Sequence, residues 1–176
     1  MALHGDHSER YRFIMGMQTA VRDGQHDFDF LFGRWRVRNR RLREPLSGSA
    51  EWYEFEAEYR ALPLWNGKAN LDEFLADAPN GRLEGLTLRI YDPQSGKWSL
   101  YWATSKHGLI TVPNVGAFGD DGIGEFFSNE QFAGRNIVCR YRWTKQWGEG
   151  CRWEQAFSAD DGANWETNWI MEFTRR

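Results

Sequence analysis

Ionisable side chains set among apolar neighbours at strand-like spacing are where this 176-residue sequence could do chemistry. In RYRW, Arg140 and Arg142 alternate with Cys139, Tyr141 and Trp143. In RWEQAF, Arg152, Glu154 and Ala156 alternate with Trp153, Gln155 and Phe157. A hairpin about Trp147 pairs Arg140 with Glu154. Facing inward, that pair gives an enclosed space a charged group able to orient a polar or anionic ligand. Facing outward, it is a surface ion pair, and the apolar partner face (Tyr141, Trp143, Trp153, Phe157) favours this arrangement. A one-residue shift in the turn exchanges the two faces, so parity leaves both open. Arg89 and Asn70 are further polar candidates, and Tyr59, Trp102 and Trp169, with Trp52 and Trp98, are flat apolar wall candidates.

Other chemistries find less support. Cys139 and Cys151 have no base nearby in sequence and make neither a disulfide framework nor a zinc-knuckle spacing; small cysteines of this kind pack as hydrophobes. No serine sits in a nucleophile elbow. His4, His7, His26 and His107 lack metal-helix spacing, and His26, Asp27 and Asp29 read as capping residues before a strand, so no metal is expected.

The elements that must position these residues are strands. Ten Trp, 12 Phe and 6 Tyr suit half-buried pleated surfaces, and 18 Gly against 5 Pro suit many tight turns. About ten strands follow, over 34–43, 50–61, 67–75, 83–91, 97–104, 115–119, 123–131, 135–145, 151–158 and 165–174. Turn sequences such as APNG, DPQSG, GDDG and SADDGAN separate them. Residues 1–24 are expected to form a polar tail and a short helix, with Tyr11, Ile14, Met15, Met17 and Val21 at helical spacing and Gly24 ending it. The remainder, 25–176, is one all-β domain, a sandwich or an antiparallel barrel.

The first hairpin specifies its own register. RWRVRNR sets Arg34, Arg36, Arg38 and Arg40 on one face, and WYEFEAEY sets Glu54, Glu56 and Glu58 on one face. One pairing matches Arg40 with Glu54, Arg38 with Glu56 and Arg36 with Glu58, and also Trp35 with Tyr59 and Val37 with Ala57. The arginine stripe is therefore a solvated salt ladder rather than a nucleic-acid surface, in keeping with a net charge of −3.

HDFDFLFGRW, with Gly33 and Trp35 before the first strand, resembles the Gly-x-Trp opening of the lipocalins and wider calycins. In that family the Trp closes one barrel end and an Arg from the last strand packs across it; Arg175 of TNWIMEFTRR stands at the matching place, sharing parity with Trp165, Trp169, Met171 and Phe173. The pattern from FDFLFGRW through LRIYDPQSGKWSLYW to RWEQAFSADDGANWETNW is also similar to a group of uncharacterised bacterial proteins with an FDF-x-x-G-x-W opening. The resemblance implies an up-and-down barrel and no particular activity. Some calycins hold haem through a histidine, for which His107 would be the candidate, but no cofactor is expected. SADDGANW matches the Asp-box pattern (Ser158, Asp160, Gly162, Trp165, with Asn164 where Thr is usual), which builds a hairpin rather than a site.

The leading expectation is a barrel that binds a small molecule, apolar or aromatic and with an anionic one as an option, its mouth shaped by PLWNGKAN and SKHGLITVPN. Cofactor-free lyases on calycin-like barrels suggest an alternative that would use Tyr59, Tyr101, Arg140 and Glu154. A homodimer through an exposed aromatic face is a third. The opening MALHGDHSERYRF lacks the apolar core of a signal peptide, and no apolar run approaches a membrane span, so a cytoplasmic protein without membrane or nucleic-acid partners is expected.

Overall fold

A computed structural model describes residues 22–109 and 112–176. The strands are β1 (Gly33–Leu42), β2 (Trp52–Leu64), β3 (Ala69–Ala78), β4 (Gly81–Asp92), β5 (Lys97–Thr104), the two-residue β6 (Gly108–Leu109), β7 (Asn114–Phe118), β8 (Ile123–Phe132), β9 (Arg135–Trp147), β10 (Gly150–Ser158) and β11 (Glu166–Arg175). All pairings are antiparallel. Apart from β6, which adds to β5, each strand joins its sequence neighbour, and β1 closes on β11 to complete a ten-stranded up-and-down barrel. The helix expected within residues 1–24 lies outside the described residues, and no helix among those described is long and apolar enough to cross a membrane.

The first hairpin has the register that its charges and aromatics specify: Arg40 faces Glu54, Arg38 faces Glu56, Arg36 faces Glu58 and Trp35 faces Tyr59. The charged face is exposed, and Glu54 lies 3.0 Å from Arg38 and 3.4 Å from Arg40. Opposite it, Trp35, Val37 and Asn39 are buried. One face of the hairpin cannot enter an apolar interior and the other cannot profitably face water, so a slip by one residue is costly.

One end of the barrel is plugged. The segment before β1 makes a 3₁₀ turn at Asp29–Leu31, which drops Phe28 and Leu31 into the lumen at 0% exposure. Phe28 meets Trp98 and Phe118 edge-on, each at 5.1 Å between ring centres. Trp35 donates its indole N–H to the Leu31 carbonyl at 2.7 Å. Arg175, paired with Trp35 across the β1–β11 seam, lies 3.8 Å above that ring and donates to the Phe30 and Phe32 carbonyls. Gly33 has φ +115°, and a Cβ there would come within 2.7 Å of the Arg175 guanidinium, so glycine is needed at this crossing.

Asp27 ties the same plug to the wall. Its buried carboxylate accepts from Arg22 at 2.7 Å and from the Lys145 ammonium of β9 at 2.9 Å. Burial pushes the carboxyl up, but these two cations outweigh it and hold Asp27 below the usual carboxylate range.

Three expectations need correction. PLWNGKAN spans the β2–β3 turn at the plugged end, and of the two segments only SKHGLITVPN, through its residues 105–108 after β5, reaches the other end. The turn between β9 and β10 places Glu154 opposite Arg142 rather than Arg140, which faces Ala156. A bulge in β11 also breaks the expected parity: Gln155 faces Trp169 and Ala156 faces Thr167, leaving Asn168 as the extra residue. Trp169, Met171, Phe173 and Arg175 keep one face. Trp165 moves to the other, where Arg140 lies 4.5 Å above its ring.

Replacing Arg175 with Met is expected to lower stability by about 1–3 kcal/mol through loss of the stacked cation and of two carbonyl partners. Arg38→Ala is expected to leave the urea midpoint unchanged, and equal losses at the two sites would contradict this account. Asp27 ionises more readily folded than unfolded. Its contribution is therefore complete above the ordinary carboxylate range and fades as pH falls through its lowered value. Asp27→Asn should flatten the acid limb of a stability–pH curve, and an unaltered limb would show that other carboxylates set it.

Candidate ligand-binding cavity

The plug fills only part of the lumen. Towards the opposite end, inward positions of β1, β2, β3, β4, β5, β8, β9, β10 and β11 enclose a cavity of about 230 Å³. Its walls are mainly aromatic. Trp169 meets Trp153 edge-on at 5.4 Å, Trp102 at 6.3 Å and Phe74 at 6.0 Å, while Tyr141 lies 5.0 Å from Trp153. Edge-to-face rings at these distances lock one another's orientation, so the space is held open by packing. A cavity of about 150 Å³ is enough to hold benzene, so this volume suits one substituted ring.

The floor is polar. Asn70 and Asp72 on β3 share the inward face with Phe74 and Ala76; Thr87 and Arg89 on β4 share it with Tyr91. The antiparallel register sets Asn70 beside Arg89 and Asp72 beside Thr87. Arg89, 2% exposed, donates to Asp72, to the Tyr59 hydroxyl at 3.2 Å and to the Asn70 carbonyl oxygen at 3.0 Å. Asp72, 1% exposed, also accepts from the Tyr59 hydroxyl at 2.7 Å and the Thr87 backbone N–H at 2.8 Å. Burial pushes the Tyr59 phenol well up, so it stays protonated. Burial pulls Arg89 down, but Tyr59 and Asp72 reverse that and keep it a cation.

Acceptors and donors do not balance here. Both carboxylate oxygens of Asp72 are engaged, while Arg89 Nε, Asn70 Nδ2 and Trp143 Nε1 are buried with no partner among the described residues. Arg89 and Trp143 both line the cavity, and the guanidinium carbon lies 5.7 Å from the centre of the Trp143 ring. Buried unpaired donors are rare and costly. The surplus at this floor calls for a hydrogen-bond acceptor.

Of the residues singled out from the sequence, Tyr59, Arg89, Trp102 and Trp169 line this cavity, and Asn70 braces Arg89 beneath it. Arg140 and Glu154 do not reach it. They occupy the outer faces of β9 and β10, because Tyr141, Trp143, Trp153 and Gln155 take the inner ones. There Arg140 lies 3.8 Å from Glu125, and Glu154 accepts from Arg152 at 2.9 Å. Tyr101 is likewise on the outer face of β5, so the set proposed for a lyase is divided by the barrel wall. Trp98 belongs to the plug, and Trp52 lies outside against Arg40. Asp72, Thr87 and Arg41 were not anticipated. The signal for the first two lay in NLDEFLAD and GLTLRIY, where same-parity polar residues of opposite character meet across the APNG turn.

Other chemical groups are accounted for structurally. Asp160 accepts from the Asn164 side chain and backbone and from Ser158, which hold it down to about 2, while Gly162 adopts φ +90° above Trp165. Burial pushes both cysteine thiols up, Cys151 to about 12, far from thiolate chemistry. Among the described residues no group of three or more His, Cys, Asp or Glu could hold a metal ion. His26 instead pairs with Asp29 at 2.9 Å. No protein-family model matches the chain, and no curated protein matches it.

Removing one half of the buried ion pair is expected to cost about 3–5 kcal/mol, so Arg89→Met should unfold early in urea. Adding Asp72→Asn should restore at least half of that, because the amide still accepts from Thr87 and can donate to a rotated Tyr59 hydroxyl. Losses that simply add would show that the two charges are not coupled.

Proposed function

We propose that this chain is a calycin-like binding barrel whose ligand is a small, flat molecule carrying a hydrogen-bond acceptor. The observation that carries this reading is the pairing of an aromatic-walled cavity with two lining residues, Arg89 and Trp143, whose buried Nε and Nε1 donors have no partner among the described residues. An apolar body replaces nothing that the ring-lined walls need, and one acceptor satisfies what the floor lacks. Since Asp72 already neutralises Arg89, the floor favours a neutral acceptor such as a carbonyl over a carboxylate, whose charge would be buried uncompensated.

Four tryptophans line the cavity, so occupancy should be visible in intrinsic fluorescence. Acetophenone and α-methylstyrene share shape and differ in a carbonyl oxygen. Acetophenone is expected to quench saturably and to bind about fivefold more tightly, the worth of roughly one net hydrogen bond. Absence of saturable quenching by either compound would overturn the binding reading; equal affinity would overturn the role given to the floor donors.

A further inference from the structure

We infer that the site has a second half, an anion seat at the barrel mouth centred on Arg41, so that the natural ligand is an amphiphile with its ring inside and a carboxylate or phosphate outside. This rests on the binding reading above. A vestibule of about 320 Å³ lies between the β3–β4 turn and the 105–108 turn, and it shares Arg41, Trp102 and Trp169 with the inner cavity. The two spaces therefore meet at the same three side chains.

Arg41 differs from its near neighbours in β1 and the turn that follows, and it is the arginine of this hairpin that lines the cavity. Arg38, Arg40 and Arg43 each have a carboxylate within 3.5 Å. Arg41 faces the lumen, lies 4.5 Å over the Trp169 ring and has no ion-pair partner among the described residues. Stacking fixes the guanidinium plane while leaving its N–H edge free, the geometry that takes a carboxylate or phosphate through two parallel bonds. Lys106 and His107 face the same vestibule and are also without ion-pair partners among the described residues. Its one carboxylate, Glu84, lies 3.7 Å from Arg82. Glu130 is the other acid at the inner cavity; it stands on β8 and accepts from the Ser128 hydroxyl. An anion is thus directed to the side bounded by β1, β5 and β11.

Charge is divided by depth. The inner guanidinium is neutralised by Asp72, whereas the outer one is held ready and unpaired. A ligand with one acceptor and one anionic group satisfies both ends of the site only in one orientation.

The test compares 3-(4-acetylphenyl)propionate with 4-butylacetophenone, which keep the same ring and carbonyl and differ in tail charge. The acid is expected to bind at least tenfold more tightly in 20 mM salt, with most of that advantage gone at 0.5 M. Arg41→Gln should bring the ratio of the two dissociation constants near one, and Arg41→Lys should restore part of it; thermal melting of each variant checks folding. Equal binding of acid and neutral analogue, with acetophenone still bound, overturns the anion seat and leaves the inner cavity standing. Failure of all three compounds to bind overturns both readings. Inorganic phosphate competing with the acid but not with acetophenone extends the seat to phosphate, while competition with both compounds places the anion inside and overturns it.

Discussion

The seam between the first strand and the last turns ten strands into a container. Every inward position then faces other inward positions across a narrow lumen, and each side chain must be packed, paired or left beside empty space. At the Trp35 end the chain itself supplies the filling, because residues 28–31 fold back into the opening and Arg175 bolts the turn to the seam. No such segment enters from the other end among the described residues. The gradient from solid plug to cavity follows from that asymmetry.

Between plug and cavity sits a buried ion pair. Its Coulomb energy is largely offset by the cost of taking two charges from water, so its contribution to net stability is small. What it does fix is geometry. Asp72 accepts from a side chain of β2, a backbone group of β4 and the Arg89 guanidinium, so three adjacent strands are held to one register at mid-barrel. The same bonds hold Arg89 with its Nε unpaired beside the cavity.

The strand plan was readable in the sequence because turn residues punctuate it and because the first hairpin carries two independent registers, ionic and aromatic, that agree. The contact of Trp35 with Arg175 was expected only from the calycin resemblance that Gly33, Trp35 and Arg175 carry. The site was only half readable. Tyr59, Arg89, Trp102 and Trp169 declared themselves as polar or aromatic residues within strands. Arg140 and Glu154 carried the same signature and sit outside, since side-chain type does not reveal which face a strand presents once turn lengths vary. The bulge at Asn168 makes the point most sharply: a single extra residue moves Trp165 out and keeps Trp169 in, and nothing in NWETNW announces it.

Arg41 shows why the missing half was hard to see. In RWRVRNRRLR it is one arginine among six, and the salt ladder on the neighbouring positions accounts for the run as a whole. Only closure of the barrel separates it from that ladder, because alternation sends 36, 38 and 40 to water and 35, 37, 39 and 41 to the lumen. At the rim the inward face is no longer dry, so a guanidinium can remain there, its stem and plane lying on Trp169 while its charge stays hydrated. Further down the same face the position is Asn39, whose amide oxygen accepts from Trp169, and below it Val37. Polarity along this one strand therefore falls from cation to amide to alkyl with depth, and of these side chains only Arg41 lines the cavity, Asn39 and Val37 being packed behind its wall.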